Sequence, residues 1–514
     1  MQKYFLRVGK TISGFTIYDW LAIGLIAIGA FLRLYNLENS QQFLGDQGRD
    51  SMVVSRIFKE GDLVFIGPVT SVGNMYLGPI YYYFMLPFLW LSYPSPMGPI
   101  YAMAILGTVT IGVLYWVGKK MFGERAALAA TLMFTFSSAV VVHSRFSWNP
   151  NPAPLPSILM FYFIYLAWKK SSVYWLAAAT MFSILLQLHY VALLAGGVIG
   201  VIWLTSLIQQ IRQKKPIKKL FLHTFGAVAI VLLFFLPLLL FDLKNNWLNF
   251  QALQNLFTAE EAFEASRPPG IIDKTIDIAR DFRSRAALVL LSTYFGMVKA
   301  RTTVLISIVV AGTFWLSKNQ KSKKFAPTLI LLIYIFITIL GLAFYNGNVY
   351  THYISFIFPA VFLFFGVLFD YFIKLNKYLG WSIFLAVMAV FLSYNLNTMP
   401  FQDAGWKLSD ISRTADTIAE RVEPGESYNI VLLSETQDLY GQNYRYFLTT
   451  KKGKEPINPE RPVETSKLFI INEQKVAEDV VNLPIYEIQI FPSKEPVEIY
   501  QVEDGPDIYV LETK

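Results

Sequence analysis

The chain alternates long apolar runs with short polar breaks. Runs of spanning length predict membrane crossings near 17–35, 98–117, 125–142, 154–168, 172–189, 190–209, 222–241, 302–317, 326–345, 353–373 and 380–396, because a helix needs roughly 20 apolar residues to span a bilayer. Two further apolar stretches fit less simply. Residues 79–92 are short, and a crossing there would invert every later loop, so we read them as half-inserted or packed within the membrane domain. Residues 286–299 read as a surface helix or an extra partial span. The expected fold class is an all-α polytopic membrane domain over residues 1–400, with about 11–13 membrane helices.

Beyond Pro400 the pattern changes. Leu408, Ile411, Ala415, Ile418 and Val422 recur at helical spacing within Trp406–Val422. Tyr428–Ser434, Lys467–Asn472 and Tyr486–Phe491 read as strands, and Gln437–Thr449 as a helix. Val497–Val502 and Ile508–Leu511 read as a final hairpin around Asp504-Gly505. Residues 401–514 are therefore expected to form a small soluble α/β domain.

Composition agrees with the pattern. The 514 residues are 54% hydrophobic and 16% charged, against about 25% charged in average soluble proteins, and mean hydropathy is +0.43. The net charge of +8 hides a division. Residues 402–514 carry 21 acidic and 12 basic side chains, net −9, which leaves 15 acidic and 32 basic, net +17, in the first 401. A basic membrane portion joined to an acidic soluble one gives no argument for nucleic acid. There are no cysteines, so disulfides and thiolate chemistry are excluded. Met1–Lys10 is basic and precedes an apolar run without a small-residue cleavage site, which reads as an uncleaved anchor.

Lys and Arg cluster at Lys3/Arg7/Lys10, Lys119/Lys120/Arg125, Lys169/Lys170, Arg212–Lys219, Lys318–Lys324 and Lys374/Lys377. Placing them all in the cytoplasm follows the positive-inside rule. Acidic residues then fall almost entirely outside, at Glu38–Asp62 and Asp242–Asp281, although they played no part in the assignment. The expectation is a multi-pass protein of the plasma or inner membrane. Its N-terminus is cytoplasmic, its loops 36–78 and 242–300 are external, and its C-terminal domain is extracytoplasmic.

Candidate chemistry collects on that outer side. Gly45-Asp46-Gln47-Gly48-Arg49-Asp50 places two carboxylates four residues apart, on one face if the segment is helical. Asp46 admits two readings: a general base toward a sugar hydroxyl, or a cap for a helix starting at Gln47. Arg49 and Asp50 stand beside it, with Asp50 also read as an ion-pair partner of Arg49 or Arg56. His143–Pro152 supplies Arg145, whose rigid fork suits phosphate but which would also suit an interfacial snorkelling role. Trp148, Asn149 and Asn151 follow it.

His189-Tyr190 and His352-Tyr353 sit at predicted external membrane ends and suggest a polar cluster. Lys244, Arg267, Arg283 and Arg285 lie in the loop 242–300, where cations beside the bilayer suit a lipid phosphate; a solvated charged face is the plainer alternative. Tyr81 and Tyr82 are candidates for a lipid or sugar pocket, with aromatic packing as the alternative. Neither HExxH nor Cys-rich ligand spacing occurs. The only cofactor left open is a divalent cation, with Asp46 as its one candidate ligand. P-loop, GxSxG and Rossmann fingerprints are also absent from the sequence.

In order, the chain shows a first span, a loop acid (Asp46), Leu77-Gly-Pro-Ile-Tyr-Tyr-Tyr83, Ser144-Arg145, Leu186-Gln-Leu-His-Tyr190 and His352-Tyr353…Pro359. That order resembles the GT-C glycosyltransferases over roughly residues 15–375, in particular the protein O-mannosyltransferases and aminoarabinose transferases. The resemblance implies transfer of a sugar from a polyprenyl-phosphate donor held in membrane lipid to an acceptor (protein, lipid or glycan) on the non-cytoplasmic face. It carries the family's first-loop acid onto Asp46, as base or metal ligand. Two departures are visible. Gln47 follows Asp46 where protein mannosyltransferases commonly have Asp-Glu, and Asn149 and Asn151 fill the neighbourhood where an acid often follows Ser-Arg.

The expected reaction inverts the anomeric centre, with Asp46 activating the acceptor. Arg145, Lys244 and the loop arginines would neutralise the departing phosphate. A transporter or flippase for a lipid-linked substrate, and a non-catalytic scaffold, stay open as other classes. The scarcity of charge at span centres argues against coupled transport.

Overall fold

The structure, a computed structural model, describes residues 14–70, 75–258, 271–296, 312, 322–345, 348–436, 438–451, 453–458, 465–474 and 479–513. The chain divides into two compact units. One comprises Met1–Tyr35, Val64–Tyr81 and Tyr101–Pro400; the other comprises Asn36–Leu63, Tyr82–Ile100 and Phe401–Lys514.

The first unit is helical. Among the described residues, seven helical segments are long and apolar enough to cross a membrane: Ile17–Leu34, Met97–Phe122, Tyr190–Arg212, Lys218–Lys244, Phe325–Ala343, Thr351–Leu375 and Lys377–Asn397. An eighth forms if Glu124–Phe136 and Ser138–Ser144, bent by 64° at their break, count as one span. Two expected crossings come out short. Pro154–Lys169 has 16 residues and Tyr174–Leu188 has 15, or roughly 24 Å and 22 Å of helix against a hydrocarbon core of about 30 Å. Ile80–Ser92 is shorter still, with 13 residues and Pro87 inside it. The expected 302–317 crossing lies outside the described residues apart from Gly312.

Thr351–Leu375 is buried along almost its whole length, so it is the central span of this unit. Gly366 makes that position possible. A Cβ there would lie 2.2 Å from the Ala126 carbonyl oxygen, so only glycine permits the close approach to the Glu124–Phe136 helix. The break at Ser137 frees backbone groups at membrane depth, where an unsatisfied N–H is costly. Buried Asn395 repairs it: its Oδ1 accepts from Ser138 N at 2.7 Å and Ser138 Oγ at 3.1 Å, while its Nδ2 donates to the Tyr294 carbonyl at 2.8 Å.

Residues 286–295 correct an expectation. Ile271–Ala287 runs through a π-helical segment, Leu288–Ser292, to Phe295. Val289, Leu290, Leu291, Tyr294 and Phe295 are all buried, which removes the surface-helix alternative and leaves that of a partial span packed in the interior.

The second unit is mixed. Its sheet contains β1 (Tyr428–Leu433), β2 (Lys467–Asn472), β3 (Pro496–Gln501) and β4 (Asp507–Glu512) in the order β1-β2-β4-β3. β1 and β2 pair in parallel, and the other two pairings are antiparallel, with a register shift between Pro496 and Glu498. Leu408–Glu420 is the expected amphipathic helix, burying Ile411, Thr414, Ala415 and Ile418.

Tyr486–Ile490 is a short helix and not the expected strand. The sequence there carries two patterns, and packing selects one. Ile488 and Phe491 join the core with Ile485 packed on it, a spacing of three, while Tyr486 and Ile490 on the alternating pattern stay exposed. The first polar loop belongs to this same unit. Phe43 is fully buried, edge-on to Tyr446 and Phe447 at 5.8 and 5.6 Å.

Candidate active site

In the second unit the Gly45–Glu60 helix begins after Leu44. Its cap is Gln47 and not Asp46: Gln47 Oε1 accepts from the Leu44 backbone N–H at 3.1 Å, the return half of a capping box. This removes the cap reading of Asp46, because the helix starts one residue before it. The helix ends at Gly61, which takes φ +73° and donates back to the Ile57 carbonyl, the usual left-handed stop.

Gly45 and Gly48 let this helix lie against residues 438–443. A Cβ on Gly45 would be 2.1 Å from Asp438 Oδ2, and one on Gly48 would be 2.3 Å from the Gln442 carbonyl oxygen. The spacing of three puts both glycines on one helix face.

Asp46 and Asp50 differ sharply despite sharing a face. The Asp46 side chain is 43% exposed and that of Asp50 1%. Arg49 joins them. Its Nη1 donates to Asp46 Oδ1 at 2.7 Å, and its Nε and Nη2 donate to Asp50 Oδ1 at 3.0 and 2.8 Å. The Tyr82 hydroxyl donates to the same Asp50 oxygen at 3.2 Å. Asp50 Oδ2 is buried with no partner among the described residues. Burial pushes the Asp50 carboxyl up to about 6 against the pull of Arg49, with Asp46 adding to the rise. Burial tends to lower Arg49, but Asp50 and Asp46 outweigh it and raise it, so the guanidinium stays charged. Asp438 is also raised, first by burial and then by Asp46, against a hydrogen bond from the Gln442 N–H.

Buried Asp50 thus orients Arg49, and Arg49 holds one oxygen of the exposed Asp46. Among the described residues no donor reaches the other Asp46 oxygen. A carboxylate held on one side and open on the other is suited to accept a proton. The metal reading fares less well, because Arg49 already fills Oδ1 with a positive charge. Among the described residues no group of three or more His, Cys, Asp or Glu converges to hold a metal ion.

The first unit brings together the two histidine-tyrosine pairs. Trp148 and His352 have ring centroids 4.3 Å apart, His189 and Tyr353 4.8 Å, and His189 and His352 6.3 Å. Tyr190 leaves the group and donates to the Tyr76 carbonyl, which Asn249 Nδ2 also reaches at 3.1 Å. Asn149 donates to the Leu188 carbonyl at 2.8 Å, which ties its loop to the His189 turn. Tyr81, fully buried, shares a 2.7 Å hydrogen bond with Ser147.

The expected phosphate cations separate into two kinds. Arg145 is buried, and its Nη1 donates to the carbonyls of Leu32, Arg33 and Tyr35 at 3.1, 3.2 and 2.7 Å, so this nitrogen closes the end of the Ile17–Leu34 helix. Arg285 does the same for Phe325–Ala343, through Leu342 and Tyr345 at 3.3 and 3.0 Å. A cation at a helix C-terminus is favoured there, which gives the donors so engaged a structural role beside the proposed phosphate one. Lys244 and Arg283 are exposed, and Arg267 lies outside the described residues. Gln47, Asp438 and Asn395 went unrecognised in the sequence. Only Gln47 carried a usable signal, its position three residues after Leu44.

Residues 78–241 match the family model described as dolichyl-phosphate-mannose-protein mannosyltransferase. Similar solved structures include ArnT from Cupriavidus metallidurans in the apo state (13% identity, 95% of this chain and 97% of that one, TM-score 0.57). ArnT from the same organism bound to undecaprenyl phosphate aligns at 13% identity over 96% and 98%, with TM-score 0.56. The archaeal oligosaccharyltransferase AglB from Archaeoglobus fulgidus, in complex with an inhibitory peptide and a dolichol-phosphate, aligns at 12% identity over 96% of this chain and 74% of that one, with TM-score 0.51. No curated protein matches the chain by sequence.

The fold is thus a GT-C fold like that of the ArnT structures, and the chain is a multi-pass integral membrane protein.

Proposed function

We propose that this enzyme transfers a sugar from a polyprenyl-phosphate carrier to an acceptor outside the cytoplasm, with Asp46 as the general base. The observation that carries the proposal is the exposed Asp46 carboxylate, held through Arg49 by buried Asp50. Asp46 Oδ2 accepts the acceptor's proton as its hydroxyl attacks the anomeric carbon, and the configuration inverts. The leaving group is a phosphate, which departs as an anion without needing a proton. A single carboxylate base is therefore sufficient, in contrast to the pair that glycosidases use.

The similar structures support a carrier of this kind, since ArnT is bound to undecaprenyl phosphate and AglB to a dolichol-phosphate. Lys244 and Arg283, both exposed, are the candidates for the donor phosphate. The charge pattern supports a cytoplasmic N-terminus. The reading is tested by incubating the purified protein with a polyprenyl-phosphate sugar of known anomeric configuration. Release of polyprenyl phosphate and a product of opposite configuration are expected. A product of retained configuration would reject the single-base mechanism.

A further inference from the structure

One cluster in the first unit holds more positive charge than its acid can balance. Asp370 is buried on the central Thr351–Leu375 span. Its Oδ1 lies 3.2 Å from Arg125 Nε, and its Oδ2 lies 3.1 Å from Lys324 Nζ and 2.6 Å from Lys374 Nζ. Three cations on one carboxylate leave an excess of two positive charges. The acids at the neighbouring helix starts, Asp19 and Glu124, share Lys119 at 2.6 and 3.0 Å, so counting them the wider group still keeps one positive charge in excess. Eighteen residues separate His352 from Asp370 along the central span. At about 1.5 Å each this is roughly 27 Å, so the cluster lies at the end of that span away from the His189 and His352 rings.

A cavity of about 120 Å³ opens on these groups, lined by Lys324, Lys374, Asp370, Ser322 and Tyr371, with Phe122 in its apolar wall. The Tyr371 hydroxyl is buried and has no hydrogen-bond partner among the described residues. The Lys324 and Lys374 side chains stay 31% and 50% exposed, so a ligand can reach them from solvent, and two ammonium groups beside the Ser322 and Tyr371 hydroxyls are matched by the oxygens of a phosphate. The volume suffices for a small tetrahedral anion, since one water needs only about 10–15 Å³ of such space.

We propose that this cavity is a second anion site, which binds a phosphate group supplied by an anionic lipid headgroup or by free phosphate. It is separate from the sugar-transfer chemistry. Lys324 and Lys374 neutralise the phosphate while Ser322 and Tyr371 donate hydrogen bonds to it, and Asp370 holds the two lysines in register. Burial and the neighbouring Lys374 depress the Lys324 ammonium against the pull of Asp370, as expected for a cation short of counter-charge.

The test uses the full-length protein in neutral detergent, with its melting temperature followed against phosphatidylglycerol, phosphatidylcholine and inorganic phosphate. A rise with phosphatidylglycerol but not phosphatidylcholine, weakened in Lys374→Gln and restored in Lys374→Arg, supports a lipid headgroup. The same pattern with inorganic phosphate alone supports a free anion. Loss of one charge-assisted bond corresponds to roughly tenfold or more in apparent affinity. If Lys374→Gln does not fold, Tyr371→Phe leaves the ion cluster intact and is expected to weaken the same response. No response to either ligand in wild type, or equal responses in wild type and both variants, would overturn the site.

Discussion

Two aspartates four residues apart have come to play different parts because one is buried and the other is not. In the proposed mechanism Asp50 is a positioning residue, because it holds Arg49. Its carboxyl is pushed up to about 6 by burial, above the ordinary value of about 4. A carboxyl raised on folding contributes stability that is fully present below about pH 4 and is lost as pH rises through about 6. The melting temperature should therefore gain from this group as pH falls from about 7 to 5, and Asp50→Asn should remove that gain. Parallel profiles for wild type and variant would contradict the assignment. Asp46 stood out in the sequence as an acid in the first polar loop. The division of labour with Asp50 was not, because burial depends on the docking of Gly45 and Gly48 against residues 438–443, far along the chain. Gln47 and Asp46 could each serve the helix start, and only the position of Leu44 decides between them.

At the level of elements, close approach and helix ends carry the structure. Gly48→Ala would drive a methyl group into the Gln442 carbonyl. An overpacking cost of about 1–3 kcal/mol is expected, read as a lower melting temperature. An unchanged melting temperature would mean that the Gly45–Glu60 helix does not need this contact. Arg145 provides a sharper test, since a helix-closing role and a phosphate role differ in readout. Arg145→Gln should lose about 2 kcal/mol or more of stability, as for bonds to a charged group, with the donor KM of the remaining folded enzyme little changed. A large rise in KM at constant stability would restore the phosphate role. Helices with one clear apolar period, such as Leu408–Glu420, were readable from the sequence. Tyr486–Ile490 was not, because Ile485, Ile488 and Phe491 carry a helical spacing inside an alternating one. The bend at Ser137 also escaped notice, because the group that makes it tolerable is Asn395, more than 250 residues away.

For the molecule as a whole, the apolar runs gave the fold class but not every crossing. Pro154–Lys169 and Tyr174–Leu188 nearly match their apolar runs, but those runs are themselves shorter than the roughly 20 residues a crossing needs. The proposed orientation rests on charge, and the absence of cysteine makes it directly measurable. Single cysteines at Lys120 and Lys494 should show opposite accessibility to an impermeant thiol reagent, with Lys120 protected in intact cells and Lys494 labelled. Labelling of both would overturn the proposed arrangement. The central claim is that Asp46 is the base of a polyprenyl-phosphate-dependent transfer. Its most direct test is the turnover of Asp46→Asn with a polyprenyl-phosphate sugar, measured beside its melting temperature. The account predicts a loss of roughly a hundredfold or more in kcat with the fold intact; turnover close to wild type would contradict it.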